Sequence, residues 1–137
     1  MTRAAVLVAL TLAAAGCGGK DTPSDTEQLR SALVDFGRAT AAHDYKAMCA
    51  RLAPVLIEKL QLVGLGCEQA LEQGLGRVKA PKLSVGKITV KGDTASAQVR
   101  TSAEGQTPSD DTIDLRRVNG AWRIASLGKT AEPGPAP

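Results

Sequence analysis

Between Leu29 and Thr40 the apolar side chains recur at helical spacing. Leu29, Leu33, Phe36 and Thr40 fall at i, i+4, i+7 and i+11, with Ala32 and Ala39 beside them. One stripe of this kind predicts an amphipathic helix of about 18 residues ending near Ala42. Its start is marked by Ser24-Asp25-Thr26-Glu27, the S-x-x-E form of a capping box. His43-Asp44 interrupts the pattern, and Asp44 is suited to cap a second helix carrying Tyr45, Met48, Cys49 and Leu52. Pro54 fits the first turn of a third helix, Pro54 to about Leu62, which Gly64-Leu65-Gly66 ends. A fourth helical segment runs from Cys67 to Leu75 with Ala70, Leu71 and Leu75 apolar.

After Leu75 the period becomes two. Leu83 and Val85 alternate with polar residues, then Ile88 and Val90 do so on the other parity. The switch falls at Gly86 and predicts a bulge or kink in one long strand. Lys91-Gly92-Asp93 is a turn, and Ala95, Ala97 and Val99 line one face of a second strand. Glu104 to Asp111 reads as a polar loop. Ile113 and Leu115 alternate in a third strand reaching Val118. Asn119-Gly120 is a strong hairpin signal, and Trp122 and Ile124 face inward on a fourth strand. Helices followed by an antiparallel meander make an α+β layout: N-terminal helices packed on a curved four-stranded antiparallel sheet, cone-like in outline. Small residues in the second strand and the Gly86 kink are what strong curvature uses.

Residues 1–16 are patterned differently. Arg3 precedes a run from Ala4 to Ala15 that is apolar but for Thr11, and Gly16-Cys17-Gly18-Gly19 follows. The run is shorter than the roughly 20 residues a bilayer span needs, and it has the parts of a secretory leader. Residues 17–23 would be a tether, 24–128 the folded domain and 129–137 a disordered Pro-rich tail. The whole chain carries 17 Lys and Arg against 14 Asp and Glu, a formal charge of +3, and loses one unit with Arg3. So even a balance, with three scattered aromatics (Phe36, Tyr45, Trp122), gives no footprint for nucleic acid.

Ala14-Ala15-Gly16-Cys17 resembles the lipobox of bacterial lipoproteins. The resemblance implies a diacylglyceryl group on the Cys17 thiol, cleavage just before it, and a place on the extracytoplasmic face of a cell membrane. Two acyl chains hold stably where one binds marginally. With Cys17 so assigned, Cys49 and Cys67 remain, and an even pair in an exported chain reads as a disulfide. The competing catalytic or metal reading meets a single histidine (His43) and no CxxC or HExxH spacing. No cofactor is implied.

The domain itself has likenesses at both ends. Leu33-Val34-Asp35-Phe36-Gly37-Arg38-Ala39, then Ala42-His43-Asp44-Tyr45 and Met48-Cys49-Ala50-Arg51-Leu52, stand near its start. Near its end stands Leu115-Arg116-Arg117-Val118-Asn119-Gly120-Ala121-Trp122-Arg123-Ile124. Together they resemble the nuclear transport factor 2-like superfamily, which includes ketosteroid isomerase-like and SnoaL-like proteins. The resemblance implies a cone-shaped α+β fold with a cavity between helices and sheet, which hosts enzymes, ligand carriers and interaction modules alike.

In enzymes of that superfamily an acid, Tyr or His projects into the cavity. The candidates here are Asp35, His43, Asp44, Tyr45 and Asp114. Asp35 borders the apolar stripe on a solvated helix face, His43 and Asp44 serve a helix junction, Tyr45 packs with its hydroxyl at the edge, and Asp114 points away from the helices. The inward strand residues are apolar, so the sequence gives the cavity neither acid nor base. The expected role is non-catalytic: a lipid-anchored module holding a small or lipidic ligand in an apolar cone lined by Phe36, Tyr45, Ala95, Ala97, Val99 and Trp122. The alternatives are a scaffold that docks another envelope protein without a ligand, and a SnoaL-like enzyme.

Overall fold

The computed structural model describes residues 23–128. The leader, Cys17, most of the tether and the Pro-rich tail lie outside these described residues. The helices are α1 (Asp25–Ala41), α2 (Tyr45–Ala50), α3 (Pro54–Gln61) and α4 (Cys67–Leu75). The strands are β1 (Lys82–Lys91), β2 (Thr94–Ser102), β3 (Ser109–Val118) and β4 (Ala121–Ile124). They form one antiparallel sheet in the order β1-β2-β3-β4.

Caps set the helix boundaries. The Glu27 amide donates to Ser24 Oγ at 3.2 Å and the Ser24 amide to the Glu27 carboxylate at 2.8 Å, closing the capping box of α1. The Ala47 amide donates to Asp44 Oδ1 at 3.0 Å at the start of α2. Pro54 opens α3, where its missing N–H costs no helical bond. Leu52, expected inside the second helix, lies beyond it. A residue before proline is pushed out of the helical region, and Ala53 is extended, with φ −71° and ψ 149°. Residues 51–53 therefore run beside β4: the Ile124 amide donates to the Arg51 carbonyl at 2.8 Å and the Ala53 amide to the Ile124 carbonyl at 2.7 Å.

In the sheet the register of β1 on β2 shifts between Val85 and Ile88. That bulge keeps Leu83 and Val85 on the same concave face as Ile88 and Val90, as the change of parity demands. Asn119 and Gly120 both take positive φ, 49° and 79°, as a two-residue hairpin turn between β3 and β4 requires.

One departure from expectation sits in β3. The strand begins at Ser109, not after Asp111, and Thr101, Val99 and Ala97 pair with Ser109, Asp111 and Ile113. Ser109 and Asp111 therefore share the inward-facing parity of Ile113 and Leu115. The concave face has a polar end that the sequence pattern did not reveal.

The core lies between this face and the helices. Leu29, Leu33 and Phe36 of α1, Met48, Leu56 and Leu71 of the shorter helices, Leu52 between α2 and α3, and Ala97, Leu115 and Ile124 of the sheet are buried in one cluster. Helix α1 approaches the sheet closely at Gly37, where a Cβ would stand 3.3 Å from Leu83 Cβ. A disulfide joins Cys49 at the end of α2 to Cys67 at the start of α4.

Candidate functional site

A cavity of about 260 Å³ opens at the end of the sheet where β1 and β3 begin and β2 ends. Phe36 and Thr40 of α1 form one wall. Leu75, Val78 and Pro81, from the end of α4 and the connection to β1, form a second. Leu83, Thr101, Ser109 and Ile113 supply the sheet side, with Leu127 and the loop residues Gln106 and Thr107 near the mouth. Most of the surface is apolar. Lys82 at the rim is the single ionisable side chain in the lining among the described residues.

The position of the cavity follows from side-chain volume. Where the concave face carries Ala95, Ala97 and Val99, the leucines of α1 and the shorter helices occupy the space, and all three small residues are packed in the core. Toward the polar end of β2 and β3 no comparable set of large aliphatics reaches the sheet, and the face turns to hydroxyls.

Of the six residues expected to line the apolar cone, Phe36 stands in the wall of this cavity. Ala95, Ala97 and Val99 belong to the packed core, away from the hollow. Tyr45 is half-buried elsewhere, its hydroxyl 3.1 Å from His43 Nδ1. Trp122 is buried on β4 beneath the Arg117 guanidinium, 4.6 Å above its ring. Small residues marked curvature and close packing here, not empty space.

The candidate acids and bases are also away from the cavity. Asp35 pairs with Arg51 at 3.1 Å and with Arg38 at 3.7 Å. Asp44 is occupied as the cap of α2. Asp114 faces outward and accepts from the Ser126 hydroxyl at 3.3 Å. The sequence reading missed a different group. Ser109 Oγ donates to Asp111 Oδ2 at 2.9 Å, and Thr101 Oγ1 lies 2.9 Å from Ser109 Oγ. This short chain begins in the cavity wall and ends on the one carboxylate of the concave face near it. The only signal in the sequence was the odd numbering that Ser109 and Asp111 share with Ile113 and Leu115.

Among the described residues no group of three or more His, Cys, Asp or Glu is gathered to hold a metal ion, and no helix is long and apolar enough to cross a membrane.

Comparison with known proteins bears on the fold alone. No protein-family model matches the chain, and no curated protein does. Solved structures do. A nuclear transport factor 2-like protein of unknown function from Shewanella baltica is 16% identical, covers 77% of this chain and 94% of its own, and superposes with a TM-score of 0.55. A nuclear transport factor 2-like protein from Campylobacter jejuni, provisionally described as a transpeptidase, is 14% identical and covers 75% of this chain and 99% of its own, with a TM-score of 0.53. One from Streptomyces avermitilis, provisionally described as a dehydratase, is 13% identical with coverages of 73% and 90% and a TM-score of 0.51. Helices packed on a curved four-stranded antiparallel sheet are thus the cone fold that these proteins share.

Proposed function

We propose that this nuclear transport factor 2-like fold serves as a non-catalytic binding module that holds a small apolar or lipidic ligand, tethered through a lipid on Cys17 to the outer face of a bacterial membrane. The observation that carries the ligand is the cavity: about 260 Å³, walled by Phe36, Leu75, Leu83 and Ile113, with its one cation at the rim. Its size, a little under the range of drug-sized sites, suits a short aliphatic or small cyclic molecule. Asp35, Asp44 and Asp114 are engaged elsewhere, and Asp111 reaches the cavity through a serine and a threonine. That arrangement favours recognition over acid–base chemistry, which needs groups converging on a substrate. The enzyme names of two structural neighbours remain theirs.

A second reading rests on the turn after α3. Leu62 and Val63 are 86% and 70% exposed there, side by side. Adjacent exposed aliphatics fit a contact with another envelope protein.

One preparation tests both. The protein purified from its native membrane is weighed intact, then extracted with organic solvent for mass spectrometry. Expected are a chain beginning at Cys17 with a diacylglyceryl increment, and one small apolar molecule per protein that Leu83→Trp, which fills the cavity, abolishes. An unacylated chain overturns the anchor. A stoichiometric partner protein without a small molecule replaces the first reading with the second.

A further inference from the structure

The polar end of the cavity has a hydrogen-bond direction, and that direction selects a ligand chemistry. A hydroxyl has one proton, and an ionised carboxylate only accepts. The Ser109 proton is committed to Asp111 Oδ2 at 2.9 Å. The 2.9 Å bond between Ser109 Oγ and Thr101 Oγ1 must then use the Thr101 proton. Thr101 is left with lone pairs, not a proton, to offer the cavity it lines. Thr40, across from it on α1, is in the same state, because its hydroxyl donates to the Phe36 carbonyl at 2.8 Å. One acceptor comes from the sheet and one from the helix, and the surface between them is apolar.

We infer that the cavity takes an aliphatic alcohol, its hydrocarbon against Phe36, Leu83 and Ile113 and its hydroxyl donating to Thr101. The inference rests on the cavity-binding reading above. An ammonium would also donate, but no carboxylate lines the cavity to balance its charge. An ether or ester oxygen set against Thr101 would meet lone pair with lone pair; Gln106 and Thr107, which could donate to it, stand near the mouth. An acceptor that the ligand covers and leaves unmatched is the costly case in recognition. The rim lysine is exposed and hydrated, so it discriminates little.

The test compares two isomers, n-octanol and heptyl methyl ether, by displacement of an apolar fluorescent dye from the full chain. They match in atoms and differ in the donor. The native protein should favour the alcohol by about fivefold to tenfold, the worth of one hydrogen bond. Thr101→Val should erase most of that preference. Ser109→Ala, which frees the Thr101 proton to turn into the cavity, should shrink or reverse it by strengthening ether binding. Far-ultraviolet circular dichroism confirms that each variant is folded. Equal binding of the isomers by the native protein overturns the inference and leaves the cavity reading standing. So does an alcohol preference that survives undiminished in both variants. Binding of neither isomer overturns the inference and the cavity reading together.

Discussion

Trp122 carries a polar atom into the core without a partner. Its side chain is 4% exposed, and Nε1 finds no acceptor among the described residues. Its ring compensates by other means. The Arg117 guanidinium lies 4.6 Å from the ring centroid, held there by Asp25 at 2.8 Å and Asp93 at 3.2 Å. Cation–π attraction of this kind strengthens as the pair is desolvated. Side chains from the start of α1, the β1–β2 turn, β3 and β4 thus meet at one aromatic face. Trp122→Phe keeps a ring under the guanidinium and removes a donor that has no bond to lose. It should cost under about 1.5 kcal/mol in urea unfolding, whereas Trp122→Ala should cost about 3–5 kcal/mol. Similar losses for the two would mean that the indole N–H has a partner after all.

The elements differ in how they hold themselves. Helix α1 has 17 residues, a capping box and three buried anchors. Helix α2 has six residues, too few for a helix to persist unaided. Its support comes from outside: buried Met48, and the disulfide from Cys49 to Cys67 of α4. Closing a loop of this length stabilises by about 3 kcal/mol through the unfolded chain. The Cys49→Ser, Cys67→Ser double variant should lose about that much in chemical denaturation, and reduction of the native protein should match it. An unmoved midpoint in both would show that the short helices pack well enough alone. Elements were legible in the sequence where a local signal existed: Ser24 and Asp44 as caps, Pro54 as a first residue, Asn119-Gly120 as a turn. The start of β3 was not. Ser109 lines a cavity instead of a core, and Asp111 accepts its proton, so the strand has no apolar alternation there. Small residues alone do not locate a hollow: Ala95 and Ala97 are packed in the core cluster, and the cavity opens where β1 and β3 begin.

At the scale of the whole molecule, the two edges of the sheet are treated differently. Residues 51–53 bond to Ile124 beside β4, whereas β1 forms the other edge and carries the bulge at Gly86. Arg30 of α1 reaches over that bulge and donates to the carbonyls of Val85 and Gly86 at 3.0 and 3.2 Å. Lys82, Lys87 and Lys91 are spaced along the same strand, all exposed. An unguarded edge is a template on which another chain can add a strand, and bulges and lysines are the usual defence. At high local concentration, copies of this protein would meet edge to edge often. Arg30→Ala uncovers two acceptors on the edge at no cost to the core. It should leave the melting temperature within a few degrees while bringing forward the onset of thioflavin-positive aggregation in a concentrated solution. An onset identical to that of the native chain would assign the protection to the lysines and the bulge. The guanidinium that pins a helix to its sheet would then be, in the same stroke, what keeps one molecule from becoming the first rung of a fibril.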